Sequence, residues 1–466
     1  MTMDAGGKHL FNKKDVVLSF ILILLASFIS LFLILIPFFP FILLGRIRPL
    51  QLTPSLIIEE KISMNQGLRW RLSVMMFLEY TIWGSWNPVF SSYLEQLGFS
   101  GTQIGVIYSL LPVACMLAPF TAGQLADRYF STEKLLAALH LLGGISLIFA
   151  AMATAYGKLW PLMLAWSIFY APTLALTNSL CFHHMPEAEK EFGLVRVWGT
   201  IGWIAVGWGL TGLRTSGLIT SFGGADSLWL GAALSFVLAA FSLALPHTPA
   251  AKTGDNPWAF LSAFKLMRDP QFAIFILVSF VVSTELQFYY VLTAPFLKTV
   301  GVSDERMPMI MTIAQIAEIG TMLALPLMLA KWGIRKTMVI GILSWPLRYA
   351  IFAYGQPRWL VVASLTLHGL CYVCFFTVSQ IYVNEVAGPD IRASAQGLIT
   401  FVTLGAGLYV GSLFAGYIKD FFTSGSEVNY ARVFMIPLVL TLVCALIFTL
   451  IFRERAWGKV EAEPAR

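Results

Sequence analysis

The sequence predicts an all-α integral membrane protein. It has twelve core transmembrane helices in two six-helix halves, with one further hydrophobic segment ahead of them. Three observations carry this. Of the 466 residues, 58% are hydrophobic and only 12% charged, about half the charged share of a soluble chain, and the mean hydropathy is +0.75. From residue 70 onward, twelve apolar stretches follow one another, each near the roughly 20 residues a bilayer span requires. The longest polar break among them, Thr248–Gln271, falls after the sixth.

The first hydrophobic run is Val16–Leu44, uncharged, with Pro37 and Pro40 near its end. It is too long for a signal-peptide core, and no small-residue cleavage site follows it. It is either an added helix or the product of a misplaced start, Met64 being a natural beginning for a twelve-helix chain. A basic stretch, Arg46–Arg71, comes next. The core spans are expected at 70–93, 102–122, 135–155, 159–181, 194–213, 227–246, 272–296, 307–330, 337–354, 359–384, 394–418 and 432–452. The organisation expected is a 1–63 extension, a first half over 64–247, a cytoplasmic linker over 248–271, and a second half with a short tail over 272–466. The loops after the second helix of each half support a duplication: one reads Leu125-Ala126-Asp127-Arg128, the other Leu329-Ala330-Lys331-Trp332.

Charge sets the orientation. Segments on the linker's side hold seventeen Lys and Arg; the opposite loops hold only Lys158, Arg214, Lys298, Arg306, Arg358, Lys419 and Arg432. Basic residues stay in the cytoplasm, so the linker and C-terminus are expected there. The net charge of +6 is small for this length and fits basic loops rather than nucleic-acid binding. All five cysteines lie in or beside apolar runs. The Cys371-x-x-Cys374 pair sits inside a span and reads as packing, and no zinc or haem spacing occurs.

Ionisable groups inside spans are expensive, so each needs a partner or a water-filled cavity. Arg196 interrupts an apolar run, at a cost of roughly 2.5–3.5 kcal/mol for a mid-bilayer arginine. Arg196, Thr200 and Trp203 stand at i, i+4 and i+7 on one helical face. Gln315 and Glu318 share a face on the eighth span, with Thr312 one turn earlier, and read as cavity lining. Gln287 and Tyr290 form another such pair, while Glu285 points about 200° away from Gln287 and braces another helix. Glu79, Trp83 and Trp86 repeat the i, i+4, i+7 spacing. That stripe lines a solute path, or it is a carboxylate bonded to a neighbouring helix beside two packing indoles. Arg348 is expected in a structural ion pair or capping a carbonyl. His368, on a stripe with Tyr372 and Phe376, and His140 are expected as hydrogen-bonded packing residues. Pro172 and Pro346 can kink their helices.

Two six-helix repeats joined by a loose linker are the layout of the major facilitator fold, and Gly123-x-x-x-Asp127-Arg128 is similar to that superfamily's loop between helices two and three. More specific stretches are Trp83-Gly84-Ser85-Trp86, Arg196-Val197-Trp198-Gly199-Thr200-Ile201-Gly202, Leu245-Pro246-His247-Thr248-Pro249, Glu285-Leu286-Gln287 and Gln315-Ile316-Ala317-Glu318. To these add Leu347-Arg348-Tyr349, Phe352-Ala353-Tyr354-Gly355 and Ile391-Arg392-Ala393-Ser394-Ala395-Gln396-Gly397. On these the chain resembles the nucleoside:proton symporters of the major facilitator superfamily, from about residue 70 to 453.

The resemblance implies a central nucleoside site on Arg196, Thr200, Gln287, Gln315 and Glu318, and a gating loop at Asp127 and Arg128. The aromatic that follows the threonine by three is Trp203. Where the family has an amide three residues after the helix-seven glutamine, this chain has Tyr290. Counting back from Ile391, the family's helix-ten acid and asparagine fall on Val373 and Phe376.

The expected activity is nucleoside import by proton symport with alternating access in the inner membrane, by a monomer, with the proton as coupling ion and no cofactor or metal. Arg196, Thr200, Trp203, Gln287, Tyr290, Gln315, Glu318 and Phe376 would contact the solute. Glu318 would carry the proton, with Glu79 in reserve. Aromatic rings suit the flat base, amide and hydroxyl groups its polar rim, and the arginine supplies a fixed fork of donors. The rival readings are transport of another small polar solute, such as a sugar or aromatic metabolite, and a sensor that binds without transporting. An enzyme is not expected, because no metal cluster, activated nucleophile or phosphate-cradling loop is visible.

Overall fold

A computed structural model describes residues 64–118, 130–217, 225–250, 259–388 and 391–453, with a two-residue antiparallel pairing of Thr2–Met3 and His9–Leu10. Val16–Leu44, Asp127 and Arg128, residues 251–258 of the linker and the tail after 453 lie outside the described residues.

The first half supplies six helices. They are α1 (Gln66–Trp86), α2 (Gly101–Ala118), α3 (Thr132–Met152), α4 (Tyr156–His184), α5 (Ala188–Thr215) and α6 (Asp226–Ser242). Asn65 caps α1, its side chain accepting from the Gly67 N–H at 2.8 Å. After α1 the chain passes Pro88, which has no N–H to extend the ladder, and resumes as a short helix, Phe90–Gln96. A 3₁₀ turn, Ala259–Arg268, occupies the end of the linker.

In the second half, α7 (Pro270–Thr299) opens with Asp269 as its cap and Pro270 in its first turn. After a turn at Met307–Met311, one run of helical hydrogen bonding covers Ile313–Tyr354. Its 42 residues would make a straight rod of about 63 Å, twice a hydrocarbon core. Gly333, at φ 71° and ψ 177°, breaks it into α8 and α9, a conformation costly for any residue with a Cβ. Gly355, at φ 72°, ends α9. The set closes with α10 (Arg358–Val386), α11 (residues 392–421) and α12 (Tyr430–Ile451). Wide π turns interrupt α10 at Tyr372–Thr377 and α11 at Phe401–Gly407; such turns often mark functional positions.

The burial pattern is that of a protein in lipid. Met152, Leu277, Leu327 and Leu450 are exposed, whereas Glu79, His140, Glu285, Arg348 and His368 are buried. Among the described residues, eight helices are long and apolar enough to cross a membrane, the stretch through Gly333 counting once.

The two halves touch at the end opposite the linker. There α2 meets α11 across small residues: a methyl on Gly105 would lie 2.4 Å from the Ser412 carbonyl oxygen, and one on Gly416 would lie 2.2 Å from that of Gly101. Asp420 accepts from the Gly101 and Thr102 amides at 2.5 and 2.7 Å and from the Thr102 hydroxyl at 2.7 Å. Lys419 pairs with Glu95 at 2.6 Å. The Trp208 indole on α5 donates to Thr312 beside α8 at 2.9 Å.

Candidate functional site

The site begins with the close approach of α1 and α5. Gly199 and Gly202 leave no room for side chains: a methyl on Gly202 would stand 2.3 Å from the Phe77 carbonyl oxygen, and one on Gly199 would stand 2.6 Å from the Tyr80 ring. This is the physical content of the Trp198-Gly199-Thr200-Ile201-Gly202 run. With the helices in contact, the Arg196 guanidinium lies over the Tyr80 ring, 4.0 Å from its centroid. Trp203, two turns along α5, packs edge-on against Trp83 of α1, centroids 5.4 Å apart.

The second half faces this wall. Arg196 and Glu318 of α8 lie within electrostatic reach of each other. Tyr372 of α10 feels Glu318, Arg196 and Tyr80, and Tyr290 of α7 feels Glu318 and Tyr372. Phe376 follows Tyr372, ring centroids 5.3 Å apart. Arg196, Thr200 and Glu318 are half-buried, whereas Trp203, Gln287, Gln315 and Phe376 are buried. The side-chain carbonyl oxygens of Gln287 and Gln315 are buried with no hydrogen-bond partner among the described residues. Buried acceptors normally find a donor, so these two are open to a ligand's N–H or O–H.

Arg196 and Glu318 therefore fall in one region, within electrostatic reach of each other, and Tyr290 is within reach of Glu318. Two further residues belong here that sequence reasoning did not place: Tyr80 beneath the guanidinium, and Tyr372. The signals were present but weak. Tyr80 adjoins Glu79, and Tyr372 stands on the stripe with His368 and Phe376.

The remaining intramembrane charges lie elsewhere. Glu79 is fully buried and held within the first half. Its carboxylate lies 3.0 Å from Nε2 of His140 and accepts from the Thr173 hydroxyl at 2.6 Å. His140 is thus a buried imidazole packed against this carboxylate.

Arg348 departs from expectation. In place of a carboxylate or carbonyl, its guanidinium is enclosed by the rings of Trp345, Tyr289 and Tyr349 at 4.5, 4.6 and 5.3 Å. It also lies 3.2 Å from Nδ1 of His368. Aromatic faces carry negative potential and can solvate a buried cation.

Glu285 is fully buried and braces α9 through its backbone, its carbonyl accepting from the Tyr349 hydroxyl. Its two carboxylate oxygens have no hydrogen-bond partner among the described residues. Among the described residues no cluster of three or more metal-ligating side chains occurs.

Twelve helices among the described residues, in two halves around a polar and aromatic site, define a multi-pass membrane transporter of the major facilitator type. Comparison with known proteins agrees. The profile of the nucleoside H+ symporter family matches residues 65–456, and the chain belongs to that family. It is 35% identical over 409 residues to YegT of Escherichia coli (strain K12), covering 82% of this chain and 93% of the relative. It is 33% identical over 418 residues to the nucleoside permease NupG of the same organism, covering 84% and 97%. The crystal structure of NupG superposes with a TM-score of 0.75 at 31% identity, over 84% of this chain and all of that one.

Proposed function

We propose that this protein imports nucleosides across the bacterial inner membrane by proton symport. The observation that carries the reading is the placing of opposite charges across the halves. Arg196 of the first half lies within electrostatic reach of Glu318 of the second, and Gln287 and Gln315 of that second half carry buried amide oxygens with no hydrogen-bond donor among the described residues.

A nucleoside presents a flat base and a rim of donors. The rings of Trp203, Tyr290, Tyr372 and Phe376 offer faces for the base. Gln287 and Gln315 accept from its N–H or ribose O–H groups, and Thr200 and Arg196 donate. Glu318 is the proton carrier: its counter-charge belongs to the other half, so rocking of the halves alters what surrounds the carboxyl. The Asp127-Arg128 loop gates the inner side. With the linker and C-terminus in the cytoplasm, the ties at Asp420, Lys419 and Trp208 close the outer side, and the site opens inward.

The test is uptake of labelled uridine and adenosine into proteoliposomes bearing a proton gradient, with and without a protonophore. Wild type should concentrate nucleoside, and the protonophore should abolish this. Glu318→Gln should lose uphill accumulation but keep exchange of internal for external nucleoside. If sugars compete and nucleosides do not, the solute assignment is wrong. If Glu318→Gln accumulates like wild type, the carrier assignment is wrong.

A further inference from the structure

One cluster of polar groups lies beside the solute site without facing it. The Glu79 carboxylate on α1 is fully buried and is gripped by two neighbouring helices of its own half. From α3, His140 Nε2 lies 3.0 Å from one carboxylate oxygen. From α4, the Thr173 hydroxyl donates to the other at 2.6 Å. The Tyr170 hydroxyl donates to the Glu79 backbone carbonyl at 2.8 Å, and Tyr170 is itself stacked on Trp166, centroids 4.6 Å apart. Residue 79 is therefore fixed at both side chain and main chain.

The residues that follow it form the first half's wall of the site. Tyr80, next in the chain, carries the Arg196 guanidinium on its face. Trp83, one turn on and on the same helical face as Glu79, meets Tyr170 at 6.3 Å and Trp203 at 5.4 Å. A small rotation of α1 about its axis would slide Tyr80 from beneath Arg196 and part Trp83 from Trp203 together.

We propose that Glu79 and His140 form a positioning pin, which sets the rotation of α1 and so the placement of Arg196 and Trp203 in the solute site. The inference rests on the reading of that site given above. It also assigns Glu79 a role other than proton carriage. A coupling carboxylate must change its surroundings as the halves rock. His140, Thr173 and Tyr170 all belong to the same half as Glu79 and move with it, so the pin is unaltered through the cycle.

Uptake kinetics in proteoliposomes test this with Glu79→Gln, Glu79→Leu and the pair Glu79→Leu/His140→Leu. Glutamine keeps the hydrogen-bonding shape, and should hold KM within about threefold of wild type with uphill accumulation intact. Leucine should raise KM at least about tenfold and leave Vmax within about twofold, the split expected when binding geometry alone is lost. The double variant removes both buried polar partners, so it folds even if Glu79→Leu does not, and it should show the same rise in KM.

Loss of protonophore-sensitive accumulation in Glu79→Gln would overturn the proposal, as would a wild-type KM in the double variant. Wild type measured alongside separates this from failure of the transport reading. A solute-free readout covers that case: a cysteine at Thr200 should alkylate several-fold faster or slower when Glu79→Leu/His140→Leu is added, and an unchanged rate counts against the pin.

Discussion

Replacing Tyr80 by leucine should weaken nucleoside binding about tenfold. The Tyr80 ring lies 4.0 Å from the Arg196 guanidinium carbon, inside the range where the ring quadrupole attracts a cation. Such a contact contributes about 0.5–1 kcal/mol at an exposed site and about 2 kcal/mol where water is excluded. Arg196 and Tyr80 are both half-buried and packed against Gly199, between those two limits, so about 1.4 kcal/mol applies. That is a factor of roughly ten in the dissociation constant. Without the ring, the guanidinium can turn away from Glu318 and from the solute. Tyr80→Phe keeps the face and removes only the hydroxyl, and should bind within about threefold of wild type. The assay is equilibrium binding of labelled uridine to purified transporter, with thermal stability measured in parallel so that a folding defect is not read as lost affinity. If phenylalanine binds as poorly as leucine, the hydroxyl and not the face does the work. If leucine binds like wild type, the cation–ring contact does not hold Arg196.

Gln315→Leu and Gln287→Leu should each raise KM about fivefold, the loss of one ligand hydrogen bond of about 1 kcal/mol, measured as initial uptake rates. Gly202→Val should abolish monodisperse protein on gel filtration, because even a methyl there would stand 2.3 Å from the Phe77 carbonyl oxygen. Asp420→Ala removes the acceptor for three donors on α2 and should shift the resting population about tenfold toward the state open on that side. Faster labelling of a cysteine at Thr312 by an impermeant reagent would report the shift, and an unchanged rate would contradict it.

The spans were legible because lipid leaves few options. A run of about 20 apolar residues must be helical so that its own backbone groups are satisfied. Arg196 and Glu318 stood out for the same reason, each a charge whose burial demands compensation. What the sequence withheld is which groups compensate which. Nothing in the spacing of Glu79 points to His140, 61 positions later on another helix, because the pairing depends on how α1, α3 and α4 pack. Arg348 suggested an acidic partner or a carbonyl to cap by charge logic alone, yet its cage is aromatic, and an aromatic in an apolar run carries no distinguishing mark. Tyr372 was obscured differently. It begins the π turn of α10, where the register departs from 3.6 residues per turn, so an ideal-helix stripe misplaces side chains at that point.

Three carboxylates inside the spans differ less in burial than in who holds them. Glu79 is bound by partners of its own half. Glu285 lies in the second half, fully buried with no donor to its oxygens among the described residues, and its backbone is tied to Tyr349 of that same half. Glu318 alone of the three has its opposite charge, Arg196, on the other half. A rigid-body rotation of one half against the other leaves contacts within a half intact and alters those between halves. Protonation can be coupled to such a rotation only at a group whose charged and neutral forms are stabilised differently in the two states. Glu318 meets that condition through Arg196 and Glu79 does not, which is the ground on which we propose Glu318, and not the number of acids in the membrane, as the place where proton and solute are linked.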